Sequence, residues 1–132
     1  MKLRSGAVLL GGILTTAQMA HSAEPTLGAD LYRQNCAACH GATGEGDGPV
    51  AAVMEAAVPN LRTLQQRSGG VFPADAVTAY VDGREVEAAH GTRQMPIWGD
   101  VFQPDDLRRR SEDRARSRIA AIVGFIAELQ YR

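Results

Sequence analysis

The stretch Cys36-Ala37-Ala38-Cys39-His40 decides how the rest of this 132-residue chain is interpreted. A C-x-x-C-H run is the attachment pattern of a c-type haem. Two thiols one helical turn apart can each bond one vinyl group of the porphyrin, and the histidine that follows can ligate the iron through a neutral imidazole nitrogen. The chain has no other cysteines, so none remains for a structural disulfide. The motif predicts one covalently attached haem c, with His40 as a metal ligand.

Three other interpretations of this motif are weaker. A thioredoxin-like redox pair would need a βαβ context in a cytosolic protein, and the sequence shows neither. A zinc site would need a fourth ligand at zinc spacing beside Cys36, Cys39 and His40, and none is obvious. The third is a chance combination of residue types, against which both the N-terminal segment and a later methionine argue.

The N-terminal segment predicts a secretory signal peptide over residues 1–23. Lys2 and Arg4 form a positively charged start, residues 7–14 are apolar, and residues 17–23 are mostly small or polar. An uncleaved membrane anchor is the alternative, but the apolar stretch is shorter than the roughly 20 residues that a spanning helix needs. We therefore expect export to the periplasm, with no membrane span after cleavage, and a mature domain over residues 24–132.

Loss of the signal peptide changes the charge balance. The whole chain has 14 basic and 15 acidic residues, and only Lys2 and Arg4 leave with the signal, so 12 basic and 15 acidic residues remain. The mature net charge is therefore −3, with every cation an arginine. A chain of this length forms one domain. Without net positive charge or interleaved aromatic residues, no nucleic-acid partner is expected.

Hydrophobic spacing predicts helices joined by loops. The predicted helices cover residues 27–39, 50–57, 73–81 and a C-terminal segment with apolar positions Ile119, Ile122, Val123, Phe125, Ile126 and Leu129. Residues 41–49 form a glycine-rich loop that lacks the Lys-Ser/Thr ending of a phosphate-binding loop. The C-terminal helix is expected to pack against the first helix, where Gly28 permits close approach and Tyr32 supplies an aromatic contact.

A second motif, Met95-Pro96-Ile97-Trp98-Gly99, supplies a candidate for the second axial ligand. A thioether sulfur is a soft, neutral ligand that suits a haem iron. Pro96 disfavours a helical backbone at Met95 and keeps it in an extended loop. Met95 follows His40 by 55 residues and precedes the terminal helix. This order predicts that Met95 ligates the iron opposite His40.

Other assignments of the second ligand stay open from the residues alone. Met95 could be an ordinary core residue. Met54 is a rival ligand, although its place in an Ala/Val run favours core packing. His90 is the other rival, and it would give a bis-histidine haem.

These parts together resemble a small monohaem class I c-type cytochrome, a member of the cytochrome c family. The resemblance covers essentially the whole mature chain, through the ordered segments 28–32, 36–41, 59–61, 95–99 and the terminal helix. It implies the all-α cytochrome c fold, in which crossed N- and C-terminal helices are joined by loops and short helices that wrap one haem.

The resemblance also implies a role for each site residue. Cys36 and Cys39 would carry the thioether bonds, and His40 and Met95 would be the axial ligands. His40 would donate its other ring N–H to a backbone carbonyl, as ligating histidines usually do. Pro59 is the favoured acceptor, and Pro49 is the alternative.

The chain departs from the simplest family pattern in a charged segment over residues 103–118. Arginines alternate there with acidic residues, which favours a solvated face of mixed charge over a docking surface for a partner. Residues 24–132 contain no lysine, so a lysine ring for partner docking cannot be carried over, although arginine could replace it in part. Arg84, Arg93 and Trp98 are proposed neighbours of the haem propionates.

Ligation by histidine and methionine leaves no open iron position for a substrate, which predicts a one-electron carrier and not an enzyme. The expected partners are donor and acceptor redox proteins, met at an exposed haem edge by a soluble monomer. Two alternatives stay open. One is a cytochrome subunit of a periplasmic dehydrogenase or oxidase complex. The other is a haem enzyme or gas-binding protein, which would require that Met95 is not a ligand.

Overall fold

The computed structural model describes residues 26–84, 94–103 and 108–131. The predicted signal peptide over residues 1–23 lies outside the described residues. The same holds for the rival ligand His90 and for Arg93, one of the proposed propionate neighbours.

The described part of the chain is helical and contains no strand, which confirms the predicted all-α class. Its α-helices are α1 Leu27–Asn35, α2 Ala37–His40, α3 Leu64–Arg67, α4 Ala74–Asp82, α5 Trp98–Val101 and α6 Arg108–Glu128. Two 3₁₀-helices, Ala51–Val53 and Leu61–Thr63, lie in the connecting segments. Helices α1, α4 and α5 all pack against α6, which therefore forms the centre of the described structure.

Helix α1 begins at a side-chain cap and ends at the haem motif. The hydroxyl of Thr26 accepts a hydrogen bond from the backbone N–H of Ala29 at 3.3 Å, which satisfies one of the free donors at the helix start. The predicted single helix over 27–39 is wrong in one respect, because it breaks at Cys36. At Cys36 ψ is −35°, close to the helical value, but φ is −116°, far from the helical value near −63°. Cys36 is therefore the cap between α1 and the separate one-turn helix α2.

The predicted contact between the first and last helices is confirmed at Gly28 and Tyr32. A β-carbon built on Gly28 would overlap the backbone carbonyl oxygen of Ala121, so only glycine permits this approach. One turn further on, the rings of Tyr32 and Phe125 lie 5.2 Å apart, tilted by 52°. The Tyr32 side chain is fully buried and its hydroxyl donates to the carbonyl of Gly41 at 2.8 Å. Tyr32 thereby joins the helix pair to the loop that follows α2.

Helix α6 is longer than the predicted C-terminal helix. The predicted apolar stripe is confirmed as core, with Ile119, Ile122, Val123 and Ile126 all buried. The stripe continues toward the N-terminus through the buried small residues Ser111 and Ala115, so the helix extends back to Arg108. In sequence, residues 103–118 resemble a lengthened link between the methionine loop and the last helix, but residues 108–118 form the first half of α6. Their arginines at 110, 114, 116 and 118 are exposed.

Two other predicted helices differ in extent. The helix predicted over residues 73–81 is observed as α4, with Pro73 at its N-cap and Gly83 in the left-handed region at φ 75° just past its end. The helix predicted over residues 50–57 is a single 3₁₀ turn, Ala51–Val53. It stops because Met54 adopts an extended backbone with ψ 141°.

Buried polar contacts tie the C-terminus to the segment after Pro59. The Gln130 side chain accepts from the N–H of Gln65 at 2.9 Å and donates to the carbonyls of Leu61, at 2.9 Å, and Ile126, at 2.8 Å. Gln130 itself is 8% exposed. These bonds fix the segment over residues 61–65 against the end of α6, on one side of the cavity described below.

Candidate haem-binding site

A cavity of about 300 Å³ opens between α6, α4 and the segment over residues 59–67. That volume is at the lower end of the range for small-molecule sites, about 300–1,000 Å³. Its described walls are apolar except for a few side chains; they comprise Cys36, His40, Pro59, Leu61, Leu64, Arg67, Pro73, Ala76, Val77, Tyr80, Val81, Met95, Ile122 and Ile126. Pro59, Arg67, Ala76 and Tyr80 are exposed, so they mark its mouth.

The two cysteines of the motif form no disulfide with each other, and the structure places them differently. Cys36 is buried and lies on the cavity wall. Burial, and secondarily the nearby Cys39, raise the pKa of the Cys36 thiol to about 12, so it stays protonated at neutral pH. Cys39 is half-buried in α2 and is not among the described wall residues. Two unlinked thiols beside an apolar cavity fit covalent attachment of a porphyrin.

His40 ends α2 and is buried on the cavity wall. Its Nδ1 lies 3.4 Å from the carbonyl oxygen of Pro59, a long hydrogen bond that confirms the predicted acceptor. Burial lowers the pKa of His40, and the contact with Pro59 partly opposes this. The ring is therefore neutral at pH 7. With the proton on Nδ1, the other ring nitrogen is left as a metal ligand.

The glycine-rich loop folds back on α2 and holds its carbonyl groups. The N–H of Gly46 donates to the carbonyl of His40 at 2.8 Å, and that of Gly48 donates to Cys39 at 3.1 Å. A β-carbon on Gly48 would overlap the carbonyl oxygen of Ala38, so this approach requires glycine. These N–H groups of the loop therefore bind the haem motif. The glycines at 46 and 48 are accounted for by this packing, and a phosphate-binding role is not needed to explain them.

Met95 is half-buried and lies on the same cavity wall as Cys36 and His40. Three of the four predicted site residues are thus brought together at one cavity. The rival Met54 is also half-buried but is not among the described wall residues. The arrangement therefore favours Met95 over Met54 as the second ligand.

Two polar wall residues, Arg67 and Tyr80, were not predicted as part of the site, and the structure gives contacts for two of the proposed propionate neighbours. Arg67 and Tyr80 lie at the mouth, where Arg67 Nη2 donates to the carbonyl of Asn60 at 3.2 Å. Leu61, Leu64 and Arg67 recur every three residues, as on one face of a helix. This spacing could have indicated that Arg67 lies on the same face as the two leucines. Arg84 instead forms two 2.7 Å bonds with Asp82, and the Trp98 ring stacks on Phe102 at 5.3 Å.

Taken together, the residues present fit a haem. The walls are apolar, a neutral imidazole and a thioether reach the same space, and the Cys36 sulfur lies on its wall. Arg67 places a positive charge at the mouth, where a propionate carboxylate could be paired. In the part of the chain that the structure describes, no three His, Cys, Asp or Glu side chains are placed to hold a bare metal ion. None of the described helices is both long and apolar enough to cross a bilayer.

Comparison with known families gives one result that bears on this site. Residues 23–109 match the family model described as cytochrome c oxidase, cbb3-type, subunit III. This span includes the haem motif, the cavity-lining segments up to α4 and the Met95 loop. Neither the curated proteins nor the solved structures gave a significant match.

Proposed function

The chain belongs to the cbb3-type cytochrome c oxidase subunit III family, and we propose that it is an exported one-electron carrier with His40 and Met95 as its iron ligands. Membership makes it a monohaem c-type cytochrome with covalently attached haem c, whose chemistry is electron transfer. The proposal adds that Cys36 and Cys39 form the two thioether bonds.

The observation that carries this proposal is the placement of Cys36, His40 and Met95 on one apolar cavity. Cys36 and His40 belong to one motif at the end of α1 and in α2, whereas Met95 comes from the distant loop before α5. A nitrogen ligand and a sulfur ligand at the same cavity suit a six-coordinate haem iron. A thiol at its edge suits covalent attachment.

The proposed ligands determine the chemistry. Bound haem supplies a one-electron couple between ferric and ferrous iron. His40 and Met95 would both ligate the iron and leave no position for a substrate, and we propose no enzymatic activity. A methionine ligand raises the reduction potential relative to a second histidine. The apolar walls contributed by Leu61, Val81 and Ile122 act in the same direction, because they disfavour the additional charge of ferric iron.

Cytochrome c domains are typically extracytoplasmic, and we propose a periplasmic location for this one. The support is the signal-like sequence of residues 1–23, after which residues 24–132 would form the mature domain. Its partners would be redox proteins, a donor and an acceptor, that approach an exposed edge of the haem.

A subunit role in an oxidase is the second candidate, favoured by the match to a family of cbb3-type oxidase subunits. The same site would then pass electrons within a stable complex. The two roles differ in the native state, so gentle detergent extraction followed by native electrophoresis with haem staining separates them. A haem band at the mass of the free chain supports the soluble carrier, and comigration with a larger oxidase supports the subunit.

The experiment that tests the proposed ligation is the absorption spectrum of the oxidised, matured protein. Sulfur ligation of ferric iron gives a weak charge-transfer band at the red end of the spectrum. Its presence is the expected result. A covalently bound haem without this band would overturn His40/Met95 ligation and the carrier function that depends on it.

A further inference from the structure

The residue immediately before Met95 uses both ends of its side-chain amide to hold another segment. Gln94 Oε1 accepts a hydrogen bond from the backbone N–H of Ala56 at 3.1 Å. Gln94 Nε2 donates to the carboxylate of Glu55 at 3.2 Å. These contacts join positions 38 and 39 residues apart in sequence. Gln94 itself is half-buried.

The segment that Gln94 holds is itself fixed to the haem motif. Shortly before Glu55, the N–H of Val50 donates to the carbonyl of Ala38 at 2.9 Å, and the N–H of Gly48 donates to Cys39 at 3.1 Å. Both acceptors belong to α2, the helix that ends in His40. The Gln94 hydrogen bonds, the short backbone stretch between Val50 and Glu55, and the hydrogen bonds to α2 therefore connect the residue beside Met95 to the helix that carries His40.

The other side of the Met95 loop has its own anchor. Gly99, in α5, lies so close to the Asp82–Arg84 ion pair that an added β-carbon would overlap Asp82 Oδ1 and Arg84 Nε. Residues 95–98 thus lie between a packed glycine and the Gln94 amide. The packed glycine holds the far end of this loop, and the two Gln94 hydrogen bonds hold its near end.

We propose that Gln94 is a positioning residue for the Met95 ligand, which it holds at the cavity by clamping the loop to residues 55 and 56. This inference rests on the proposed function, in which Met95 ligates the iron. Gln94 touches neither the haem nor the iron in this role. Its loss is expected to leave haem attachment intact and to make Met95 easier to displace.

The test measures how readily imidazole replaces Met95 on the oxidised holoprotein. Loss of both hydrogen bonds in Gln94→Ala should raise the apparent imidazole affinity about five- to tenfold, the factor expected for roughly 1 kcal/mol of lost hydrogen bonding. Gln34→Ala is the matched control, because Gln34 is exposed on α1, far along the chain from the Met95 loop. It should bind imidazole as the wild type does.

A charge-swap pair makes the test specific and covers poor maturation of the alanine variant. Gln94→Glu alone places two carboxylates together and should also raise imidazole affinity. Combining it with Glu55→Gln restores one donor and one acceptor between the two side chains, so the double variant should return toward the wild-type affinity. A purely structural effect of position 94 would give no such rescue.

The outcomes separate this inference from the function on which it rests. If the wild-type oxidised protein lacks the sulfur-to-iron band, Met95 ligation fails, and the positioning role fails with it. If the band is present but Gln94→Ala binds imidazole like Gln34→Ala, the positioning role alone is overturned. Failure of the charge-swap pair to recover affinity would likewise overturn it.

Discussion

Gly28 of α1 lies against the backbone carbonyl of Ala121 on α6, so closely that a β-carbon on Gly28 would overlap that oxygen. The two helices meet backbone to backbone at this point. The neighbouring Tyr32–Phe125 ring contact, with centroids 5.2 Å apart, depends on the same spacing. Tyr32 in turn donates to Gly41, next to His40. The helix pair thus positions the haem motif.

Gly28→Ala should destabilise the holoprotein, although alanine normally favours a helix. The added methyl group must push α1 from α6, and overpacking of this kind costs about 1–3 kcal/mol. Gly124→Ala is the matched control, because a β-carbon at Gly124 would contact nothing within 4 Å. That variant should gain up to about 1 kcal/mol from helix propensity. Denaturant unfolding of both variants checks the prediction, and equal stabilisation by both would contradict the close contact.

Met95→Leu should keep the haem covalently attached while the sulfur-to-iron band is lost completely. Leucine cannot ligate iron, so the oxidised protein should bind imidazole readily and its reduction potential should fall. Met54→Leu is the control, since Met54 is the rival that is not among the described cavity walls. Its spectrum should match the wild type. Loss of the band in Met54→Leu, with retention in Met95→Leu, would reverse the assignment.

Replacement of Cys36 and Cys39 by alanine should abolish covalent haem. Thioether bonds survive denaturation and non-covalent haem does not, so haem staining after denaturing electrophoresis reads out attachment directly. Each single variant should retain one possible bond and therefore reduced but detectable staining. Staining of the double variant at the wild-type level would show that attachment occurs elsewhere.

The Asp82–Arg84 pair should stabilise the folded protein at neutral pH and lose that contribution at acid pH. Hydrogen bonds from Arg84 lower the pKa of Asp82 below its usual value. A carboxyl whose folded-state pKa is depressed stabilises the protein above its unfolded pKa, and that contribution is lost as the pH falls through the folded pKa. The pair is partly exposed to solvent, so we expect at most about 1 kcal/mol.

The measurement is the unfolding free energy of Asp82→Asn and the wild type at pH 7 and pH 3. Asp82→Asn should be less stable at pH 7, and the difference should narrow at pH 3. Arg84→Gln removes the same pair from the other side, so the double variant should be little worse than either single variant. An unchanged difference at pH 3 would rule out the ion pair as its cause.

Several parts of the fold could be predicted because they depend on local patterns. The apolar spacing from Ile119 to Ile126 predicted a buried helix face, and Gly28 predicted a close helix contact. The choice of Pro59 as the acceptor for His40 came from the resemblance and agrees with the 3.4 Å contact. Periodicity works here because a helix repeats every 3.6 residues, whatever it packs against.

Other features could not be predicted because they arise from contacts between distant segments. Arg67, one of many arginines in sequence, lies at the cavity in a segment that Gln130 holds from the C-terminal end of α6. The pairing of Arg84 with Asp82 is the exception, since it joins residues two apart through Nε and Nη2 and was still not predicted. The length of α6 depended on the burial of Ser111 and Ala115, two small residues without a clear hydrophobic signal.

The sequence alone determined the class of this protein, since Cys36, Cys39 and His40 are neighbours in the chain and their spacing specifies the chemistry that they can perform. It also singled out Met95 as the candidate second ligand, and the structure has this residue on the cavity wall. Only the tertiary structure decided which side chains line the cavity with His40. That set depends on how α6, α4 and the loops pack together. Such packing is non-local, because it joins residues that lie tens of positions apart in the chain.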